Sequence, residues 1–208
     1  LPNNKNIIDV FSVAGLDRPN IGLLSEEFLR EIRAMKEKNL AVEALSRLLK
    51  GEIKARFKTN VVRNSLYSEL LEQALAKYRN RTIETAQLIE ELIELAKKLN
   101  SQVRAGNPDG LSDYEVAFYD ALESNAAAVR DMKHEDLVRL AQELTRKVRE
   151  NIKVDWSVRE STQAALRVMV RDLLDKYGYP PDFSKQAIET VIKQAESLTE
   201  EWLAEKLK

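Results

Sequence analysis

The chain contains no cysteine and only one histidine, His134, among its 208 residues. Without thiols it forms neither disulfides nor thiolate metal sites, and one imidazole excludes a multi-histidine metal centre. The missing cysteine fits a reducing compartment, so we expect a cytoplasmic protein. No apolar run approaches the roughly 20 residues that a membrane span needs, and no signal peptide is visible. The absences therefore argue against a disulfide-stabilised secreted domain and against a membrane protein.

Glycine and proline are scarce, with six and five copies, and strand-like alternation of apolar and polar residues is nearly absent. Apolar residues recur at helical spacing instead. We predict an all-α fold, an irregular bundle of eight to ten helices. The glycine- and proline-containing residues 106–110 divide it into an N-terminal helical half (1–105) and a C-terminal helical half (111–208). We expect the two halves to form one compact domain.

Several local signals place the helices. Ser25 is predicted to cap an early helix, and residues 112–115 and 157–160 each have the pattern of a capping box. The helix predicted from Thr82 onward is apolar on more than one side, so we expect it to lie centrally. The last helix is predicted to begin at Ser184, with its charged end projecting beyond the body.

Charge is divided into blocks although the net charge is −1. Residues 30–81 hold 13 Lys/Arg and 6 Asp/Glu, whereas residues 82–145 hold 6 and 13. The simplest interpretation is solvated helix faces with local ion pairs. The alternative is that blocks of opposite sign dock on one another or on separate partners.

Two polar stretches at predicted helix starts are the most distinctive features: YRNRTIETAQ at residues 78–87 and VDWSVRES at residues 154–161. Together with residues 19–29, 42–49, 110–122 and 173–182, they resemble, in order, the C-terminal helical region of the R subunit of type I restriction enzymes. The resemblance covers roughly residues 6–198. None of these motifs is a catalytic signature, so the likeness depends on their number and order.

The resemblance implies an assembly and interaction domain. It would dock the ATP-dependent DNA translocase and nuclease onto the methyltransferase–specificity core during DNA restriction. Its expected partners are the methyltransferase and specificity subunits and the helicase domains of its own chain, with duplex DNA as a further partner and no membrane. The parent subunit would be an ATP-dependent, site-specific deoxyribonuclease that uses ATP and Mg²⁺. The present chain, which starts at Leu1, would be a fragment of it without catalytic residues, cofactor or metal.

The residues themselves support no catalytic site. Asp109 and the later Asp131-Met132-Lys133 formally match a nuclease pattern, but that chemistry needs carboxylates on adjacent strands, whereas Asp109 is predicted in a loop and Asp131 near a helix end. No glycine pair has P-loop spacing before a lysine. The glutamate row of residues 84–94 fits an exposed helix face better than a di-metal site.

Six residues are candidates for an interface or hinge: Arg79, Asn80, Arg81, Asp155, Trp156 and Arg159. Arginine and tryptophan are frequent anchors of protein interfaces. The structural alternative is that Arg81 caps one helix, that Asp155 caps another, and that Trp156 is buried at their junction.

A basic run beside Phe57 is the candidate DNA contact; it consists of Lys54, Arg56, Lys58 and Arg63. Such a patch neutralises phosphates without selecting a sequence. It supports the alternative function, a non-sequence-specific DNA-contacting clamp used during translocation. A basic docking face for protein, or plain solvation, would give the same pattern. A nucleotide pocket has no motif to support it.

Overall fold

The computed structural model describes residues 25–104, 107, 109–151 and 160–206. Within them the chain is helical and contains no strand, which confirms the all-α prediction. The helices are α1 (Glu26–Ala34), α2 (Lys38–Arg56), α3 (Val61–Arg79), α4 (Thr85–Arg104), α5 (Asp113–Glu123), α6 (Ala126–Val129), α7 (His134–Asn151), α8 (Glu160–Lys176) and α9 (Pro181–Lys206). None of these helices is both long and apolar enough to span a bilayer.

The chain divides into two compact units. The first comprises Leu1–Lys58 and Asn64–Gly106, and the second comprises Thr59–Arg63 and Asn107–Lys208. The boundary between the units at residues 106 and 107 falls within the glycine- and proline-containing segment 106–110. The short segment Thr59–Arg63 lies in the first half of the sequence but groups with the second unit, which local sequence patterns did not indicate.

The core of the first unit is formed by apolar faces of α1 to α4. Ser25 accepts a hydrogen bond from the Phe28 amide at 3.1 Å, so the predicted cap of α1 is confirmed. Helix α4 buries an unusually wide apolar surface, as its composition predicted. Its buried residues are Leu88, Ile89, Leu92, Ile93, Leu95, Ala96 and Leu99. This helix begins at Thr85 rather than at Thr82, because the preceding turn occupies the intervening residues.

The second unit packs α5, α7, α8 and α9 around Phe118, Leu144 and Val191, all fully buried. The first capping box is confirmed: the Glu115 amide donates to Ser112 Oγ at 3.3 Å, and the Ser112 amide donates to Glu115 Oε2 at 2.8 Å. The second box, at residues 157–160, lies outside the described residues except for its last position.

Between α8 and α9 the chain turns at Gly178, whose φ of +71° suits a residue without a side chain. The Tyr179 amide donates to Leu174 O at 2.9 Å and the Gly178 amide to Asp175 O at 3.1 Å, a Schellman closure of α8. Helix α9 then starts at Pro181. The predicted start at Ser184 was wrong because proline is well suited to the first helical position.

The prediction that the charged end of the chain projects from the body was also wrong. Trp202, only 3% exposed, packs edge-on against the Tyr114 ring with centroids 5.2 Å apart. The Arg149 guanidinium lies 5.4 Å from the Trp202 ring centroid and pairs with Glu205 at 3.6 Å. Charged residues alternate here with apolar ones that the second unit buries, so net charge alone misled the prediction.

A polar network holds the segment Thr59–Arg63 within the second unit. The fully buried Gln194 of α9 accepts from the Val61 amide at 2.9 Å and donates to Thr59 O. Asn60 Nδ2 donates to Asp120 Oδ2 at 2.6 Å. Because buried polar groups must be paired, these contacts select one position for the segment.

Helices α7 and α8 are joined by a carboxylate. Glu143 of α7 accepts hydrogen bonds from the Tyr177 hydroxyl and from Lys176 Nζ, the latter at 3.0 and 3.1 Å. The Tyr177 hydrogen bond, followed by that of Lys176, lowers the pKa of Glu143 below its ordinary value. The contacts of Tyr177 and Lys176 therefore favour ionised Glu143, and they stabilise the second unit more when Glu143 is ionised than when it is protonated.

Candidate functional site

The first candidate site is the turn after α3, which contains Arg79, Asn80 and Arg81. Arg81 adopts a left-handed backbone conformation, with φ of +55°. Its amide donates to Tyr78 O at 3.0 Å, and the Thr82 amide donates to Lys77 O at 2.9 Å. These are the two hydrogen bonds of a Schellman motif, so the backbone of Arg81 closes α3.

Glycine normally occupies this position, because a side chain in the left-handed region costs roughly 1–2 kcal/mol. Here an arginine occupies it. The Arg81 side chain is exposed, and no ion pair holds it among the described residues. Arg81 thus caps α3 through its backbone amide, as in the structural alternative given by the sequence. The guanidinium of Arg81 takes no part in this cap.

Arg79 forms an ion pair with Glu72, which lies about two turns earlier on the same face of α3. Both side chains are more than half exposed. The hydrogen bond from Arg79 lowers the pKa of Glu72. An open hollow of about 1010 Å³ adjoins the turn and reaches the start of α4. It is lined by Tyr78, Arg79, Arg81, Thr82, Ile83, Glu84, Thr85, Ala86 and Gln87. The turn therefore presents beside a polar recess one exposed arginine, Arg81, that has no ion pair within the part of the chain that the structure describes.

The other three candidates of this group, Asp155, Trp156 and Arg159, lie outside the described residues. Their roles in an interface, and the alternative of helix capping, stay predictions.

The four residues of the predicted DNA contact do not share one environment. Arg56 Nε pairs with Glu52 Oε2 at 2.8 Å, and its Nη2 donates to Asn100 Oδ1 at 3.1 Å. Its side chain is only 17% exposed. This arginine joins α2 to α4 inside the first unit, so little of its charge is directed to solvent.

Arg63 belongs to the second unit. Its Nε lies 2.6 Å from Asp120 Oδ2 and its Nη2 lies 3.3 Å from Asp120 Oδ1, a two-pronged pair. The Arg63 amide also donates to Asn60 Oδ1 at 3.0 Å. Arg63 is thus part of the network that holds Thr59–Arg63, and its charge is compensated by Asp120.

Lys54 and Lys58 are exposed, and neither has an ion pair among the residues that the structure describes. Lys50, one helical turn before Lys54, is exposed as well and was missed by the sequence analysis. The signal was present, because residues four apart on a helix lie on the same face. Three lysines of α2 and its C-terminal end therefore make up the solvent-exposed part of the basic run.

His134 is the first residue of α7 and is exposed, in agreement with the sequence prediction. Its Nε2 lies 2.9 Å from Asp109 Oδ1, and its Nδ1 lies 3.0 Å from the Tyr119 hydroxyl. Asp109, one half of the formal nuclease pattern, thus has a histidine partner. Across the described ranges, no group of three or more histidines and carboxylates could hold a metal ion.

The acidic row on α4 is compensated by neighbouring cations. Glu90 accepts from Arg33 Nε and Nη2, each at 2.9 Å, and this hydrogen bonding lowers the pKa of Glu90. Lys77 lies 3.3 Å from Glu91. Two carboxylates of the acidic block thus pair with cations of the basic block inside the first unit, which is contact between the blocks, the alternative interpretation of the charge pattern.

Comparison with known proteins gives one family. A family model described as "Type I restriction enzyme HindI endonuclease subunit-like, C-terminal" matches residues 3–201. The type I restriction enzyme HindI endonuclease subunit of Haemophilus influenzae is 36% identical over 198 residues, which are 95% of this chain and 19% of that protein.

A second relative, from Methanocaldococcus jannaschii, is provisionally named the type I restriction enzyme MjaIXP endonuclease subunit. It is 34% identical over 176 residues, covering 84% of this chain and 17% of that protein. The chain thus spans about a fifth of the length of these relatives. No solved structure matches it.

Proposed function

The chain belongs to the family of C-terminal domains of HindI-like type I restriction endonuclease subunits, and on this premise we propose that it is an assembly domain. It docks the motor and nuclease parts of its subunit onto the core formed by the methyltransferase and specificity subunits. The observation that carries the proposal is the turn at Arg81. An arginine without an ion pair among the described residues is held there in an unfavourable backbone conformation.

The physical argument is one of preorganisation. The two backbone hydrogen bonds of the turn fix where the Arg81 side chain leaves α3, so little backbone entropy is lost when a partner binds it. Arginine is enriched among residues that contribute most to protein interfaces, and it binds carboxylates through two parallel hydrogen bonds. We therefore expect an acidic surface of the core to contact Arg81, with a side chain of the partner entering the adjacent hollow.

In the complete subunit, other parts would supply ATP-driven translocation and DNA cleavage with ATP and Mg²⁺. The present domain would contact the core, and also the helicase domains of its own chain, and would itself have no catalytic role. A stable interface of this kind buries about 1,200–2,000 Å². Long, rigid helices suit such a task because they can present a surface of that size.

The proposal is tested by sedimentation of the purified chain with the cognate methyltransferase–specificity core, in the presence and absence of DNA. We expect DNA-independent association that Arg81→Ala weakens. A paired control, Arg30→Ala/Arg171→Ala, removes two other exposed arginines and should bind as the unmodified chain does. Association that survives Arg81→Ala unchanged would show that this turn is not the contact.

A DNA-contacting clamp is the second function that we propose, and one observation favours it. Lys50, Lys54 and Lys58 are all exposed and lack ion pairs among the described residues. They could neutralise phosphates without selecting a sequence. The clamp predicts salt-sensitive binding to duplex DNA in the absence of the core, which the assembly function does not.

A further inference from the structure

We propose that the hollow between α2 and α3 of the first unit binds the phosphodiester backbone of duplex DNA. Lys50 and Lys54 would supply the positive charge, and Asn64 and Ser68 would supply neutral hydrogen bonds. The inference rests on the second of the two functions proposed above, the DNA-contacting clamp, and assigns that function a site.

The hollow has a volume of about 560 Å³ and lies wholly within the first unit. Its floor is formed by Ile53 and Leu71, each 2% exposed. Its rim is formed by Lys50, Lys54, Asn64 and Ser68, together with Glu72. Ile53 and Leu71 are themselves too buried to act as a docking face, and the rim carries two lysines with an amide and a hydroxyl that can bind a charged ligand.

The two lysines are four positions apart on α2, so their side chains emerge from the same face about one turn apart, about 6 Å along the axis. Successive phosphates of one strand rise about 3.4 Å along the duplex. The spacing of the lysines is close to two such steps, about 7 Å, so the pair can contact two phosphates of one strand. Lysine acts on phosphate as a point charge, which gives affinity without sequence preference.

The neutral side chains lie opposite the lysines on α3. Ser68 Oγ donates to Asn64 Oδ1 over 3.4 Å, and Asn64 Nδ2 donates to Phe57 O over 3.5 Å. Both distances are at the long end for hydrogen bonds, so these donors can turn to a phosphate oxygen at small cost. Amide and hydroxyl groups are common phosphate ligands beside lysine.

The two walls of the hollow are held in a fixed relation. The rings of Phe57, at the end of α2, and Tyr67, on α3, stack with centroids 5.2 Å apart and an interplanar angle of 16°. Both residues are buried. The lysines of one helix and the neutral donors of the other are thus positioned before a ligand arrives, which reduces the entropic cost of binding.

The only acidic residue on the rim does not cancel the positive charge. Glu72 is hydrogen-bonded to Arg79, which is the largest cause of its lowered pKa. Arg79 is the main partner of Glu72 and Lys50 acts on it more weakly, so most of the positive charge of Lys50 and Lys54 is left for a ligand. Lys58 adds a third positive charge beyond the end of α2.

The test is the binding of a fluorescent duplex DNA of mixed sequence to the full chain, measured by anisotropy between about 50 and 200 mM salt. The variant Lys50→Gln/Lys54→Gln is expected to bind about tenfold more weakly at 0.1 M salt. Its log–log salt slope should be shallower by about 2, since each lost phosphate contact removes about 0.9. Lys185→Gln/Lys193→Gln carries the same change of charge on exposed lysines of α9 and should behave as the unmodified chain.

Two further variants distinguish binding in the hollow from attraction of DNA by the overall positive charge of the surface. Asn64→Ala/Ser68→Ala should weaken binding a few-fold while leaving the salt slope unchanged, because no charge is removed. Lys50→Arg/Lys54→Arg should retain binding. Since both lysines are exposed, their replacement should leave the melting temperature of the chain unchanged, which excludes unfolding as the cause of a loss.

The outcomes distinguish the site from the function. If the chain does not bind duplex DNA even at the lowest salt, both the clamp and the site are wrong. If it binds, but the Lys50/Lys54 variant binds equally well or the control pair loses as much, the clamp stands and the site is overturned. Competition by polyglutamate as strong as by unlabelled DNA would also overturn the site, because the hollow would then be selecting an acidic protein chain.

Discussion

Replacing Arg81 with glycine should make the protein more stable, although it removes a side chain. The residue has a φ of +55°, where a β-carbon crowds the following carbonyl at a cost of roughly 1–2 kcal/mol. Glycine does not pay this cost, but it adds about 0.4–1 kcal/mol of conformational entropy to the unfolded chain. We therefore expect the free energy of unfolding to rise by about 0.5–1 kcal/mol.

The assay is thermal unfolding followed by circular dichroism at neutral pH. For a chain of about this size, 1 kcal/mol corresponds to roughly 2–4 °C, so Arg81→Gly should raise the melting temperature by about 1–4 °C. Arg81→Ala is the matched control. It removes the same guanidinium but keeps the β-carbon, so its stability should stay close to that of the unmodified chain.

A reciprocal experiment uses the second Schellman turn. Gly178 has a φ of +71°, and no heavy atom would lie within 4 Å of a β-carbon added there. Gly178→Ala should therefore lower the free energy of unfolding by about 1 kcal/mol through backbone strain alone. The two turns should thus respond with opposite signs.

The reasoning would be refuted if Arg81→Gly and Arg81→Ala lowered the melting temperature equally. That result would mean that the guanidinium makes a stabilising contact within the protein and is not available to a partner. If Arg81→Gly is more stable and yet binds the core less well, stability and binding compete at this turn, as is expected where strain is kept for function.

Three further predictions concern the second unit. Gln194→Leu should destabilise it by about 2–4 kcal/mol in denaturant titration, because both partly buried backbone partners of the buried Gln194 lose a hydrogen bond. Asp120→Ala should cost about 2–3 kcal/mol, because Arg63 is left without its partner in a partly buried place. Glu143→Gln should lower the melting temperature at pH 7. The difference should shrink as the pH falls below the ordinary glutamate pKa of 4.5 and be smallest below the depressed pKa of the folded state, since Tyr177 and Lys176 favour the ionised form of Glu143.

Exposed positions supply controls for these changes. Gln142→Leu and Glu150→Gln alter the same residue types on the exposed face of α7 and should change stability by less than about 0.5 kcal/mol. A pH-independent deficit in Glu143→Gln would contradict the role of its charge. A Gln194→Leu variant as stable as the unmodified chain would contradict the proposed anchoring of Thr59–Arg63.

The helical fold was predictable because its determinants are local. Ser25 and the capping box at residues 112–115 act within one helical turn. The wide apolar face of α4 follows from the spacing of the apolar residues within that helix. The start of α4 was misplaced because the left-handed turn before it has Arg81, and not the usual glycine, at the position with positive φ. The sequence therefore carried no sign of a turn there. The start of α9 was misplaced because Pro181, a favourable first residue, was taken as part of the loop.

The candidate sites were less predictable because they depend on contacts between residues far apart in the sequence. Lys54, Arg56, Lys58 and Arg63 form one basic run, but Asp120 is 57 residues from Arg63 and Asn100 is 44 residues from Arg56. No local pattern reveals that these partners engage the two arginines. The lysines, which lack such partners among the described residues, were identifiable from helical spacing once the bounds of α2 were known.

The most direct test of the account is the sedimentation of the purified chain with the methyltransferase–specificity core in the absence of DNA. The account predicts that the two sediment together, and that Arg81→Ala weakens the association while Arg30→Ala/Arg171→Ala does not. If the chain sediments alone at every concentration of core, and binds only duplex DNA in a salt-dependent manner, the assembly function is contradicted and the clamp replaces it.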